Sequence, residues 1–107
     1  MKINIKPLSV NQCWRGRRFK TSQYIKYEQM MLLLLKPMKV QQGALKLVIT
    51  VGFSSKLADI DNFLKPFIDI LQKKYNFNDR DIFELNVKKE IVAKGKEFIK
   101  FEIKSIK

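Results

Sequence analysis

Apolar and polar residues alternate most regularly between Leu45 and Phe53, where Leu45, Leu47, Ile49, Val51 and Phe53 are separated by Lys46, Val48, Thr50 and Gly52. A period of two marks a strand with one buried face. Two more stretches share it: Phe83, Leu85 and Val87 against Glu84, Asn86 and Lys88, and Ile99, Phe101 and Ile103 against Lys100, Glu102 and Lys104. Ala93 to Lys96, with Gly95, reads as a turn joining these two into a terminal hairpin. Near the start, Ile3 and Ile5 between lysines and Asn4 predict a shorter strand.

The period changes elsewhere. Tyr24, Tyr27, Met31 and Leu34 recur at helical spacing after Thr21 or Ser22, either of which can cap, and Pro37 closes the segment. A second helix is predicted from about Asn62, with Phe63, Leu64, Phe67, Ile68 and Leu71 on one face. Pro66 is tolerable if Asn62 is the N-cap, because only the first intrahelical bond is then missing. Asp59 and Asp61 fall in the turn entering that helix. Asn11 to Lys20 follows neither period and holds three of the four arginines around Gly16, so it reads as a mobile basic loop. Asn76 to Asp81 is a polar loop. The expected fold is α+β: a small mixed β-sheet with two helices packed on it, as a single domain over residues 1–107.

Charge changes the picture from fold to partner. Lys and Arg number 22 against 10 acids, a net +12, and a field of that sign attracts polyanions, of which nucleic acid is the commonest. A ribosomal protein, a membrane-surface protein or charge kept for solubility are the other readings. The chain has no histidine, which removes His-based triads and His metal sites. Its one cysteine, Cys13, excludes an internal disulfide framework and suggests a reducing compartment. The longest apolar run, Met30 to Leu35, is far short of the roughly 20 residues a membrane span needs. No apolar signal core follows the first lysines, so the expected location is cytoplasmic, without a membrane partner.

The acids are unevenly placed. All five aspartates (Asp59, Asp61, Asp69, Asp79, Asp81) lie in one window with four cations, a net −1, while the remainder has 18 basic and 5 acidic residues, +13. An acidic spot in a basic protein suits a cation held beside a bound phosphate. Asp61, Lys65 and Asp69, spaced four apart, would share a helix stripe. Magnesium takes hard oxygen ligands and keeps several waters, so two or three carboxylates suffice. The same acids also make ordinary sense as caps at a helix start and as surface ion pairs. Spacing alone leaves both readings open.

The run Asp59-Ile-Asp-Asn-Phe-Leu-Lys-Pro-Phe-Ile-Asp-Ile-Leu, then Asn78-Asp-Arg-Asp-Ile-Phe-Glu-Leu and Lys88-Lys89, resembles the RusA-like Holliday junction resolvases over essentially the whole chain. The resemblance implies a magnesium-dependent endodeoxyribonuclease, with manganese a possible substitute and no organic cofactor. It implies a homodimer that nicks four-way junctions in DNA recombination and repair, often encoded by phages or prophages. Asp59, Asp61 and Asp79 match the metal-binding aspartates and Lys65 the lysine needed for cleavage. Asn62 and Asp69 match supporting positions. Arg80 separates Asp79 from Asp81 where many members have adjacent acids, so Asp81 is the fallback for Asp79.

The DNA contacts expected are Trp14, Arg15, Arg17, Arg18 and Lys20 in the basic loop, with Phe19 beside them, and Lys89, which matches a family lysine. Cations suit phosphates and aromatics suit exposed bases. Alternatively Trp14 and Phe19 anchor the loop to the core. The apolar helix from Tyr24 to Leu35 is a candidate dimer surface, with core packing the more ordinary use. Two other functions stay open: a non-catalytic nucleic-acid-binding module of the same fold, and a ribosome-associated or RNA-binding protein.

Overall fold

The computed structural model describes residues 1–16 and 19–106; Arg17, Arg18 and Lys107 lie outside it. In chain order the elements are β1 (Lys2–Ile3), a 3-10 turn (Val10–Gln12), β2 (Trp14–Arg15), β3 (Phe19–Lys20), α1 (Ser22–Leu34) and β4 (Leu45–Phe53). They continue with α2 (Leu64–Tyr75), a second 3-10 turn (Asp79–Asp81), β5 (Ile82–Ile91) and β6 (Phe98–Ser105). The fold is α+β: β1, β6, β4 and β5 form a mixed sheet in that order, and β2 pairs with β3 in a separate two-stranded ribbon.

The strand with the cleanest alternation is central. Leu45, Leu47, Ile49 and Val51 of β4 are all buried. Phe101 and Ile99 of β6 stand beside Ile49 and Val51. This face joins one core with Tyr24, Tyr27, Met31 and Leu35 from the α1 region and Phe63, Phe67, Ile70 and Leu71 from the α2 region. Completely burying a side chain such as Phe67 contributes on the order of 1.5–3 kcal/mol, so this layer dominates stability.

The expected terminal hairpin is not formed. Its turn exists, closed by Lys96 N–H on the Ala93 carbonyl at 2.9 Å, with Gly95 at φ 89°. But β5 and β6 flank β4 instead of each other: β5 runs parallel to it and β6 antiparallel. A strand reached through a crossover helix returns parallel, so β4, α2 and β5 make a βαβ unit. Alternation within β5 does not report which strand is its neighbour, and it does not mark a buried face either: Phe83 and Leu85 are exposed and Val87 is half-buried.

The helix boundaries also differ from expectation. Thr21 caps α1 through its hydroxyl, which accepts from Tyr24 N–H at 3.1 Å. The buried stripe ends on Leu35, and Leu34 is left exposed. α2 begins at Leu64 with Phe63, not Asn62, at its N-cap, and among the described residues no side chain caps it. Asn62 instead sits in the preceding turn, its N–H on the Asp59 carbonyl at 3.4 Å. Pro66, in the first turn, has no N–H for the Asn62 carbonyl four residues back, and that carbonyl accepts from Val10 N–H at 2.8 Å. Proline thus frees the acceptor that ties the N-terminal 3-10 turn to the start of α2.

Candidate active site

The end of β4 leads directly into the acidic turn. Lys89, level with Val51 on β5, directs its ammonium to the carbonyls of Ala58 and Lys56, the latter at 3.2 Å. It therefore fixes the loop that delivers Asp59. Lys88 faces the other side of the sheet, beside Thr50. The Asp59 carboxylate accepts from Asn62 Nδ2 at 3.2 Å and lines an open cleft of about 300 Å³ with Lys6, Gln12, Phe53, Ser54 and Glu97. Asp61 is exposed, and its carboxylate has no hydrogen bond or ion pair among the described residues.

A second group lies on the exposed face of α2. Lys65 donates to Asp69 Oδ1 at 3.1 Å and stands 3.9 Å from Asp79 Oδ2. The hydrogen bond and charge of Asp69, and more weakly the charge of Asp79, hold the Lys65 ammonium above its usual range, so it is a fixed cation and no proton acceptor. Gln72 completes the group: Asp79 N–H donates to its Oε1 at 2.8 Å, and its Nε2 donates to Asp69 Oδ1 at 3.4 Å. Asp81 is separated from this group and lines a recess with Val40, Gln41 and Arg80. The stripe expected for Asp61, Lys65 and Asp69 is therefore realised from Lys65 onward, with Asp61 in the turn before it.

The basic segment is anchored to α2 at another point. It is a small ribbon, with Trp14 opposite Lys20 and Arg15 opposite Phe19, and Gly16 in the turn at φ 66°. Left-handed backbone of that kind favours glycine. Arg17 and Arg18 lie outside the described residues. Trp14 meets Tyr24 edge-on at 5.8 Å, and the Lys20 ammonium lies 5.2 Å from the centre of the same ring. Trp14 thus both leans on the body of the protein and remains partly exposed, while Phe19 is largely exposed. The ribbon is tied down by Glu28 of α1, whose carboxylate takes Lys20 at 3.3 Å and Lys73 of α2 at 3.0 Å. Burial pushes the Tyr24 hydroxyl and the Cys13 thiol upward, and the Asp69 charge adds to both.

Sequence reasoning missed Gln72 and Glu28. Gln72 could have been found, since it follows Lys65 by seven residues and Asp69 by three on the same helix face. Glu28 could not, because its partner Lys73 is 45 residues away.

As donors, exposed single carboxylates suit magnesium. As an arrangement they do not form a closed cage: among the described residues no three Asp, Glu or Cys side chains stand close enough together to hold an ion. Compared with protein-family models and with curated proteins, the chain matches none.

Proposed function

We propose that the chain is a structure-selective endodeoxyribonuclease that resolves four-way DNA junctions, acting as a homodimer with magnesium. The observation that carries this reading is the Lys65 group. A fixed, exposed cation at the start of α2 lies between two carboxylates, and Glu28 ties a cationic and aromatic ribbon to Lys73 of the same helix, in a protein of net charge +12. The motif linking Asp59, Asp61, Asn62, Lys65, Asp69 and Asp79 adds to it.

In this reading Arg15, Lys20 and the unassigned Arg17 and Arg18 hold backbone phosphates, and Trp14 offers a face to a base unstacked at the branch. Lys65 balances charge that builds on the phosphoryl oxygens as water adds and one P–O bond breaks. Asp59, Asp61 and Asp79 are the residues that would hold the ion, which supplies positive charge to the phosphate and lowers the pKa of a bound water. Lys89 acts at one remove, by fixing the Asp59 loop. The described residues include no helix long and apolar enough to cross a membrane, and work on DNA with a free thiol suits the bacterial cytoplasm.

The non-catalytic binding module is the second reading. It is favoured by one observation: Asp59 is already bonded by Asn62 and Asp69 by Lys65, with no three-acid group among the described residues. Cleavage of a synthetic four-way junction in magnesium separates the two. Wild type is expected to give symmetric nicks and Asp61→Asn none, with junction binding retained. A folded wild type that binds the junction and never nicks it would leave the binding module.

A further inference from the structure

The outer edge of β5 is open. β5 ends the sheet, and among the described residues its only strand neighbour is β4. Three large apolar side chains on it are exposed: Phe83 by 73%, Leu85 by 48% and Ile91 by 46%. Natural sheets seldom leave a long apolar edge uncovered, because its unpaired backbone groups recruit other chains.

The phase of this edge is set. Val92 N–H donates to the Phe53 carbonyl, so even-numbered residues of β5 direct their backbone groups at β4. Odd-numbered residues, Leu85, Val87 and Lys89, direct theirs outward. Side chains alternate in step: Leu85, Val87 and Lys89 share the helix face with Leu47, Ile49 and Val51, while Glu84, Asn86 and Lys88 share the open face with Lys46, Val48 and Thr50.

We propose that β5 pairs antiparallel with β5 of a second copy of this chain, about a two-fold axis through Asn86. Facing residues in such a pair must lie on the same face, which allows only registers centred on a residue. Centred on Asn86, Glu84 faces Lys88 of the partner subunit twice, and Leu85 faces Val87 of the partner subunit twice. Centring on Val87 faces Glu84 with Glu90, and centring on Lys88 or Lys89 faces a lysine with itself. Centring on Leu85 brings in the irregular pairing beside Phe83 and no ion pair. The Asn86-centred register is thus the one that gives two Glu84–Lys88 ion pairs with Leu85 against Val87 between them; further out Phe83 falls opposite Lys89 of the partner subunit and Ile82 opposite Glu90 of the partner subunit. The result is a continuous eight-stranded sheet with the helices of both copies on one side. This inference rests on the homodimer of the proposed function and assigns its interface; a dimer joined through β5 that binds a junction and never nicks it would keep the interface and remove the nuclease reading.

The test is the oligomeric state of the full chain by size exclusion with light scattering. Wild type is expected to be a dimer. Asn86 faces itself at a non-hydrogen-bonded site, where Cα atoms are about 4.5 Å apart, within disulfide reach. Asn86→Cys should therefore give a disulfide-linked dimer on mild oxidation, and Lys89→Cys should not. Glu84→Lys should weaken the dimer about tenfold or more, since two attractive pairs become repulsive, and Glu84→Lys with Lys88→Glu should restore it. Lys46→Gln, which removes only the internal partner of Glu84 at 3.5 Å, should leave the dimer intact. An unchanged melting transition shows that each variant folds. A monomeric wild type overturns the proposal. So does a dimer that cross-links through Lys89→Cys but not Asn86→Cys, or one that ignores Glu84→Lys.

Discussion

Gly52 is the position where adding one methyl group tests the sheet most sharply. It pairs with Phe98 across β4 and β6, and Phe98 lies over it with the Lys2 ammonium 4.6 Å from the ring centre. A Cβ built on Gly52 would fall 2.5 Å from Phe98 Cε1 and 2.6 Å from Cδ1. Gly→Ala inside a strand ordinarily gains about 0.5–1 kcal/mol through chain entropy. Forcing a buried ring aside costs about 1–3 kcal/mol. The net expectation for Gly52→Ala is a loss of about 1–2 kcal/mol, or roughly 5–10 °C in Tm for a domain of this size. Thermal melts of a four-member cycle with Phe98→Ala check the cause. With the ring removed, Gly52→Ala should become neutral or stabilising, giving a coupling of about 2 kcal/mol. A Gly52→Ala that raises Tm in the parent, or costs the same in both backgrounds, refutes the clash.

Further outcomes follow from other contacts. Lys65→Met should change stability by less than about 1 kcal/mol, since the side chain is 64% exposed; if the nuclease proposal holds, junction cleavage is lost in that variant while binding persists. For Glu28, burial raises the carboxyl pKa, but the Lys73 and Lys20 contacts outweigh it and the net shift is downward. Its stabilisation is therefore full above the unfolded pKa and fades as pH falls through the lower folded value. Glu28→Gln should cost about 1 kcal/mol near neutral pH and nothing in strong acid, read by denaturant titration at both. Asn76 ends α2 with φ 56°, so Asn76→Gly should be neutral or stabilising and Asn76→Val should lose about 1–2 kcal/mol in the same assay. Junction affinity should fall with salt at a log–log slope near −0.9 per phosphate contact, and a flat response would remove the electrostatic basis of binding.

How far the sequence carries can be seen at individual residues. The alternation in Leu45–Phe53 identified the central strand because burial on one face leaves a period of two, and Tyr24, Tyr27 and Met31 marked the buried side of α1 in the same way. Patterns of this kind report exposure, so they could not show that β4 lies between β5 and β6, which is a matter of hydrogen-bond partners. Pro66 signalled a helix start, yet placed its N-cap one residue early, at Asn62 and not Phe63: the carbonyl it leaves free is bonded by Val10, a partner far away in sequence. Asn11 to Lys20 looked like a plain basic loop because a ribbon with two residues per strand is too short to show any period.

The acidic motif shows the limit most clearly, and the reason is the direction of α2. The helix leaves the C-terminal end of β4 and runs back toward the start of β5, so residues just before and just after it begin about 18 Å apart, at 1.5 Å per residue over its 12 residues. Linear spacing between Asp61 and Asp79 therefore says nothing about their separation; the loop from Asn76 onward decides it. In the structure that loop turns back far enough for Asp79 to reach Gln72 and Lys65, and the two acids at the helix entry remain beyond this group. Lys65 is the residue that spans the interval, its four-carbon stem carrying a charge from the first turn of α2 to the level of Asp69. Any ion shared by all three aspartates would have to draw Asp79 away from that ammonium. Asp79→Asn should therefore weaken magnesium binding more than it weakens junction binding if the three acids act together, whereas equal effects on both would leave Asp79 as a partner of Lys65 alone.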